Sequence, residues 1–424
     1  MINIILLIAF LLINPVCAYA YLDPGSGAVL INLLIAGVAA LLFSLKGVFL
    51  RLIGKKSKAT AKVAKQDITM GILSEGRQYF ATFEPIVKAL ITHQIHFYYY
   101  TLDIEDELLE IDSEYMVSRF LGYGNIGYAK AGSLKVANLI CTTPNIGCKG
   151  YPIQKSPHVQ NLIHVFHSIN DLSMYRKGSL DYYDSVFMVG DFQAKSIRDL
   201  ELKRSLKEKK LVSLGLPYLD TYSKAPNITE AQDNRSKTVL VASSWGSKGL
   251  FANYSIDFIR KLTEAGFRVI ARPHPQSYLS EKKFIEDIER QVSKLSNAEW
   301  DRDISPTKSM QRADIMISDT SSIRFDFAFI YQRPVLSLEL GLDDMPGFER
   351  EDMTELWMDK AAHNIGIVLS KSDTDDIIRY VNEVTKEYKP ETIIAYRNRV
   401  ISNYANAGDA IARYVQTSVI GEDR

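Results

Sequence analysis

A chain of 424 residues has room for two or three domains, each with its own core, once membrane segments are set aside. Lys plus Arg equals Asp plus Glu at 50 each, so the net charge is zero and nothing in the total points to nucleic acid. The three cysteines, Cys17, Cys141 and Cys148, make no disulfide framework and no CxxC, which leaves free thiols in a reducing compartment.

Residues 1–22 carry no charged side chain, and Ala18-Tyr19-Ala20 forms an A-x-A-like end. Residues 1–20 therefore read as a signal peptide or a first membrane helix. A second uncharged run, 28–45, approaches the roughly 20 apolar residues that a spanning helix needs. Lys46, Arg51, Lys55, Lys56, Lys58, Lys62 and Lys65 follow without one acidic residue up to position 65. The segment 21–66 is thus expected to be a membrane helix with a basic juxtamembrane stretch suited to anionic membrane lipids. The positive-inside rule puts everything after it on the cytoplasmic side of a bacterial inner membrane.

From position 67 strand and helix patterns alternate, which implies parallel sheets. Strands are expected at 68–73, 95–100, 136–141, 162–166, 185–189 and 211–214, with helices at 79–90 and 192–206; they define an N-terminal α/β domain, 67–222. The polar stretch SKAPNITEAQDNRSK, 223–237, reads as a linker. A C-terminal domain, 238–424, restarts the alternation with strands at 238–242, 267–271, 315–317 and 335–338. Helices are expected at 254–264, 281–293 and 307–313, and a helical tail over 372–416.

Five short segments fall where these strands end: His167-Ser168, Leu214-Gly215-Leu216-Pro217, Ser243-Ser244-Trp245-Gly246, Arg272-Pro273-His274-Pro275 and Ser318-Asp319-Thr320-Ser321-Ser322. Ligands of parallel sheets bind at those ends, so the five are expected to converge on one cleft. The last segment opens a helix, whose free N–H groups and positive dipole end suit phosphate; the same residues serve as well for an ordinary cap. His167 closes the strand LIHVFH, where an ordinary pKa of about 6.5 suits a general base, and His164 inside the strand is its structural counterpart. His274 is held between two prolines beside Arg272, a natural bidentate partner for phosphate oxygens. Trp245 either covers a nucleotide base or packs between domains. Asp301-Arg302-Asp303 is a D-x-D in a polar stretch without strand-end context, so it reads as a chance occurrence and not as a metal site. No CxxC, HExxH, Walker loop, G-x-S-x-G or Rossmann fingerprint occurs.

The run SDTSSIRFDFAFIYQRPVL resembles the S-D-Y-S-S-x-x-F-D-[YF]-A…R-P signature of the CDP-glycerol glycerophosphotransferases, the teichoic acid polymerase family. R-P-H-P resembles that family's R-x-H-P, and LGLPYLD its G-x-P-R-x-D. The resemblance implies a GT-B-like fold, two doubly wound parallel-sheet domains facing an interdomain cleft, here preceded by N-terminal membrane segments. It also implies CDP-glycerol or a related CDP-alcohol as donor, no metal or other cofactor, and transfer of glycerol phosphate to a hydroxyl. His167 falls at the histidine of the W-H-G motif, a proposed general base, while His274 and Arg272 would hold the pyrophosphate. Ser318, Asp319, Thr320, Ser321 and Ser322 match the donor loop, with Gly215, Ser244 and Trp245 on the same side. Three departures stand out: F-H-S replaces W-H-G, Tyr218 stands where the family usually has Arg, and Thr320 where it has Tyr.

The expected function is a membrane-anchored transferase acting on a lipid-linked or polymer acceptor of the cell surface. Two readings compete with it: a GT-B glycosyltransferase using a nucleotide sugar for surface polysaccharide, and an inactive membrane scaffold.

Overall fold

A computed structural model describes residues 68–223, 236–247, 249–254, 256–303, 305–339 and 347–421. The chain divides into two units, 1–58 and 59–424, and every described residue belongs to the second. The expected leader and membrane helix, and nearly all of the expected linker, lie outside the described residues. Among those described, no helix is long and apolar enough to cross a membrane.

Two parallel sheets organise the second unit. The first has seven strands, β1 (Met70–Ser74), β2 (Phe97–Thr101), β3 (Met116–Phe120), β4 (Asn138–Cys141), β5 (Asn161–Val165), β6 (Ser185–Met188) and β7 (Lys210–Ser213), in the order β3-β2-β1-β4-β5-β6-β7. The second has six, β8 (Thr238–Ala242), β9 (Arg268–Arg272), β10 (Ala298–Trp300), β11 (Ile315–Ser318), β12 (Val335–Leu338) and β13 (Gly366–Leu369), in the order β10-β9-β8-β11-β12-β13. Each order reverses once, between β1 and β4 and between β8 and β11, as in doubly wound folds. Burial on both faces explains the continuous apolar runs that announce the inner strands: every residue of β4, β8 and β11 is buried. The strands β3, β10 and β13 are not foreseen from the sequence. All three are sheet edges with mostly half-exposed residues; β3 and β10 carry no apolar run to read, and the short GIVL of β13 was passed over.

Alternation along the second sheet decides what each face meets. Val239, Val241, Val269, Ala271, Ile315 and Ile317 point into a core shared with helices α6 (Asp257–Glu264), α8 (Lys282–Val292) and α12 (Ile377–Glu387). Leu240, Ile270 and Met316 face the other way, into an apolar cluster that also contains Leu139, Leu162 and Phe166 of the first half. Phe325, Phe327 and Phe329 of α10 (Ile323–Tyr331) complete that shared core. The remaining helices are α1 (Phe80–Thr92), α2 (Gly124–Ala131), α3 (Ala194–Arg204), α4 (Tyr218–Tyr222), α5 (Leu250–Asn253), α7 (Ser277–Ser280), α9 (Thr307–Arg312), α11 (Trp357–Ala362), α13 (Pro390–Val400) and α14 (Ala407–Tyr414). The tail does not stay with the second sheet: Ile411, Ala412 and Val415 pack with Phe83, Ile86 and Val87 of α1 in the core of the first.

Candidate active site

Register places three strand ends in one row. Ala242 pairs with Arg272 on one side and with Ser318 on the other, so the chain leaves β9, β8 and β11 side by side at the reversal of strand order. A buried clamp spans that point. Asp319, fully buried, accepts hydrogen bonds from the amide and hydroxyl of Ser244 and from the amide of Leu250, each at 2.8 Å, and from the amide of Ser321 at 3.0 Å. Burial raises its pKa, and these hydrogen bonds oppose the rise. The Ser318 hydroxyl, also fully buried, donates to the Ala242 carbonyl at 2.9 Å. Two residues expected to touch phosphate therefore face protein instead, because a carboxylate and a hydroxyl this deep need partners from the neighbouring strand. What they hold in place is the rest of the loop. Thr320 Oγ1 has no partner among the described residues, and the amides of Ser322 and Ile323 at the start of α10 make no backbone hydrogen bond there.

Arg272 is buried and its Nη1 donates to Asp301 Oδ2 at 2.5 Å. The D-x-D thus has a structural task that its sequence context concealed. Burial disfavours the Asp301 carboxylate, but the Ser309 hydroxyl, the Asp303 amide and Arg272 hold its pKa below the ordinary value. Arg302 instead pairs with Glu289 across the surface. His274 is exposed beside this pair; its Nδ1 accepts from the Gln276 amide at 3.1 Å. Partial burial of the ring, and then the charge of Arg272, lower its pKa, so the neutral form prevails. Trp245 follows the end of β8 and is 48% exposed.

Gly215 packs against the tail: its φ is 94°, and a Cβ there would lie 2.2 Å from the Ser402 carbonyl oxygen, so close approach of the tail requires glycine here. Asp220, five residues on, accepts from the amides of Ala407 and Gly408 at 2.8 and 2.7 Å. The LGLPYLD segment is therefore a docking point for α14.

In the first half, His167 follows β5 and lines a cavity of about 220 Å³ together with Tyr79, Tyr218 and Asp326. The Tyr218 hydroxyl donates to Asp326, one turn into α10. The Tyr79 ring meets the His167 ring edge-on at 5.2 Å, and His167 Nδ1 is buried without a partner. Burial lowers the His167 pKa to about 4, well below the 6.5 expected of it. Burial likewise pushes Asp326 up to about 7, since Tyr218 offers one hydrogen bond and no positive charge. His167 and α10 thus share a cavity wall, whereas Arg272, His274, Ser244, Trp245 and Ser318–Ser322 do not line it. Sequence reasoning passed over Tyr79 and Asp326. The available signal for Asp326 was an acid set among Phe325, Phe327 and Phe329 in SIRFDFAF, one turn after the serines.

The model of one protein family matches residues 193–415, described as CDP-glycerol:poly(glycerophosphate) glycerophosphotransferase. The chain belongs to this family. The matched span of these glycerophosphotransferases takes in the Ser244, Arg272–His274 and Ser318–Ser322 segments and leaves His167 outside. As a family member the chain is an enzyme of the CDP-glycerol glycerophosphotransferase type. Among solved structures, the wall teichoic acid polymerase TagF soaked with CDPG superposes with a TM-score of 0.53 at 14% identity, over 91% of this chain and 99% of that one. A UDP-GlcNAc 2-epimerase from Methanocaldococcus jannaschii gives 0.52 at 12% identity, over 82% and 99%. MnaA of S. aureus with UDP gives 0.52 at 12%, over 83% and 96%. At these identities the likeness is one of fold, a GT-B-like pair of parallel sheets. No curated protein matches the chain significantly.

Proposed function

We propose that this glycerophosphotransferase moves glycerol phosphate, or a related alcohol phosphate, from a CDP-linked donor to a hydroxyl of a cell-surface polymer or lipid-linked precursor of the teichoic acid kind. The observation that carries this reading is the row Arg272, Ala242, Ser318, which aligns three strand ends at the reversal of the second sheet. The donor pyrophosphate sits there, against the amides of Ser322 and Ile323 and the Thr320 hydroxyl, with His274 beside it. Arg272, held by Asp301, acts mainly through its positive field. Ser244 is fixed by Asp319 at the opposite side of the loop, and Trp245, being exposed, is available to stack on the base.

His167 takes the acceptor's proton. The acceptor oxygen bonds to the phosphorus that carries glycerol, the bond from that phosphorus to the bridging oxygen breaks, and CMP leaves with the electron pair. Burial keeps His167 neutral at physiological pH, which leaves a ring lone pair for the proton, and the negative charge of a bound donor beside it would raise its pKa toward the working range. Positioning and charge stabilisation carry the rest, as phosphoryl transfer requires; no metal or cofactor is invoked. Anchoring through residues 1–66 at the cytoplasmic face of a bacterial inner membrane belongs to the same proposal.

The test is CMP release from CDP-glycerol by membranes containing the full chain. His167→Ala and His274→Ala are each expected to lower it at least 100-fold, in keeping with the roughly 10²–10⁴-fold contribution of acid–base groups. Turnover retained in both variants, or thermal stabilisation by UDP-sugars but not by CDP-glycerol or CMP, would overturn the reading.

A further inference from the structure

The cavity around His167 has a chemistry of its own. Four tyrosines, Tyr79, Tyr218, Tyr222 and Tyr331, line it with His167 and Asp326, and neither Lys nor Arg is among its lining residues. Arg333 lies behind Tyr331, its guanidinium 6.0 Å from the ring centre, and its Nη1 donates to the carbonyls of Met310, Gln311 and Ala313. These bonds hold the guanidinium at the end of α9, behind Tyr331 and outside the cavity lining. The acid in the wall, Asp326, has the Tyr218 hydroxyl as its hydrogen-bond donor.

A phosphodiester brought into such a space would lose its water, find no cation, and lie beside a carboxyl group. Burying a charge without a partner is costly, and a carboxyl group offers an anion no compensation. An uncharged polyhydroxy ring meets the opposite situation: aromatic faces for its apolar side, and phenol, carboxyl and imidazole groups for its hydroxyls. A volume of about 220 Å³ is that of one residue of a larger molecule; ligand clefts for whole drug-sized molecules begin at roughly 300 Å³.

We propose that this cavity is the acceptor subsite, that it takes an uncharged saccharide residue, and that the Tyr218–Asp326 pair makes it discriminate against acceptors ending in a phosphodiester. The inference rests on the transferase reading with His167 as base, and it names which hydroxyl is presented to that base: one on a sugar ring.

The experiment compares two acceptors built on one alkyl chain, an alkyl N-acetylhexosaminide and an alkyl glycerol phosphate, using CMP release from CDP-glycerol by membranes containing the full chain. The saccharide is expected to be used at least tenfold better. Because the readout is a ratio from one preparation, differences in the amount of folded enzyme cancel. Tyr218→Arg, which places a cation opposite Asp326, and Asp326→Asn, which removes the acid with little change of shape, are each expected to reduce the ratio at least tenfold. Equal or better use of the alkyl glycerol phosphate by the unaltered chain, or an unchanged ratio in both variants, would overturn the inference while leaving the transferase reading in place. Absence of CMP release with either acceptor, together with no thermal stabilisation by CDP-glycerol, would overturn both.

Discussion

His164 and His167 sit three residues apart, and burial gives both a titration that their sequence does not show. Neither nitrogen of His164 has a partner among the described residues, its ring is fully buried among Phe166, Tyr175 and Tyr183, and its pKa falls to about 3, first through burial and then through His167. His167 falls to about 4. In the unfolded chain both titrate near 6.5, so below that pH the unfolded state binds protons that the folded state refuses. The share of stability set by the two histidines is therefore full above pH 6.5 and declines as pH drops toward 4 and then 3, each proton contributing a slope of about 1.4 kcal/mol per pH unit within its window. Asp326, which burial raises to about 7, takes up a proton in the folded state over the same range and offsets one of them. Urea unfolding measured from pH 7.5 to 4.5 is expected to show the remaining loss, and His164→Leu to remove most of that slope below pH 6. An unchanged slope in the variant would contradict the account. At the same scale, what could be read from sequence was position, and what could not was surroundings. His167 was legible as a strand-end histidine and Asp319 as part of a polar loop. That one is a buried neutral histidine and the other a buried clamp depends on how closely neighbouring strands pack around them. Tyr218 was legible only as a departure from a motif; its partner Asp326 lies 108 residues further on and no local pattern joins them.

Among the elements, the inner strands declared themselves, and of the four edge strands only β7 did, because burial on both faces is what writes an apolar run into the sequence. The helical tail was legible as helix but not in its destination. It crosses back because α14 offers its free N-terminal amides to Asp220 and its apolar side, Ile411 and Ala412, to α1. Contact is close enough that a Cβ on Gly408 would come within 2.6 Å of the Pro85 carbonyl oxygen. Removing a side chain that caps a helix start costs about 1 kcal/mol, and up to about 2 kcal/mol when the site is well ordered. Asp220→Ala is expected at the upper end and Gly408→Ala at or above it, both read as a lower urea midpoint with α14 exchanging its amide hydrogens faster. Protection of α14 left unchanged in Asp220→Ala would show that packing alone holds the helix.

Across the whole second unit, the two halves are tied by more than the shared core. The segment 347–358 leaves the second half and lies on the first: the Glu349 amide donates to the Tyr175 carbonyl at 2.8 Å, the Met358 amide to Asp171 at 2.9 Å, and the Trp357 ring stacks on Phe192 at 3.8 Å. At its centre Arg204 of α3 holds Glu349, Asp352 at 2.8 Å and Asp181 at 2.9 Å. Burial disfavours the charge of Arg204, but the hydrogen bonds it donates to Glu349 and Asp352 hold its pKa above the ordinary value. Glu349 is only 1% exposed and also accepts from the amide and hydroxyl of Ser179. Removing one partner of a buried pair leaves an uncompensated charge, which costs about 3–5 kcal/mol, whereas an exposed pair is worth under about 1 kcal/mol. Arg204→Ala is therefore expected to destabilise the protein by about 3 kcal/mol. Arg204→Lys should recover less than half of that, since one ammonium cannot reach three carboxylates that a planar guanidinium spans. High salt distinguishes the two kinds of charge pair: screening weakens exposed contacts such as Lys177 with Glu351, but a pair closed around Glu349 keeps its strength. The Arg204→Ala deficit is expected to persist in 1 M NaCl during urea unfolding, and a deficit that vanished with salt would place this tie at the surface and not in the joint between the halves.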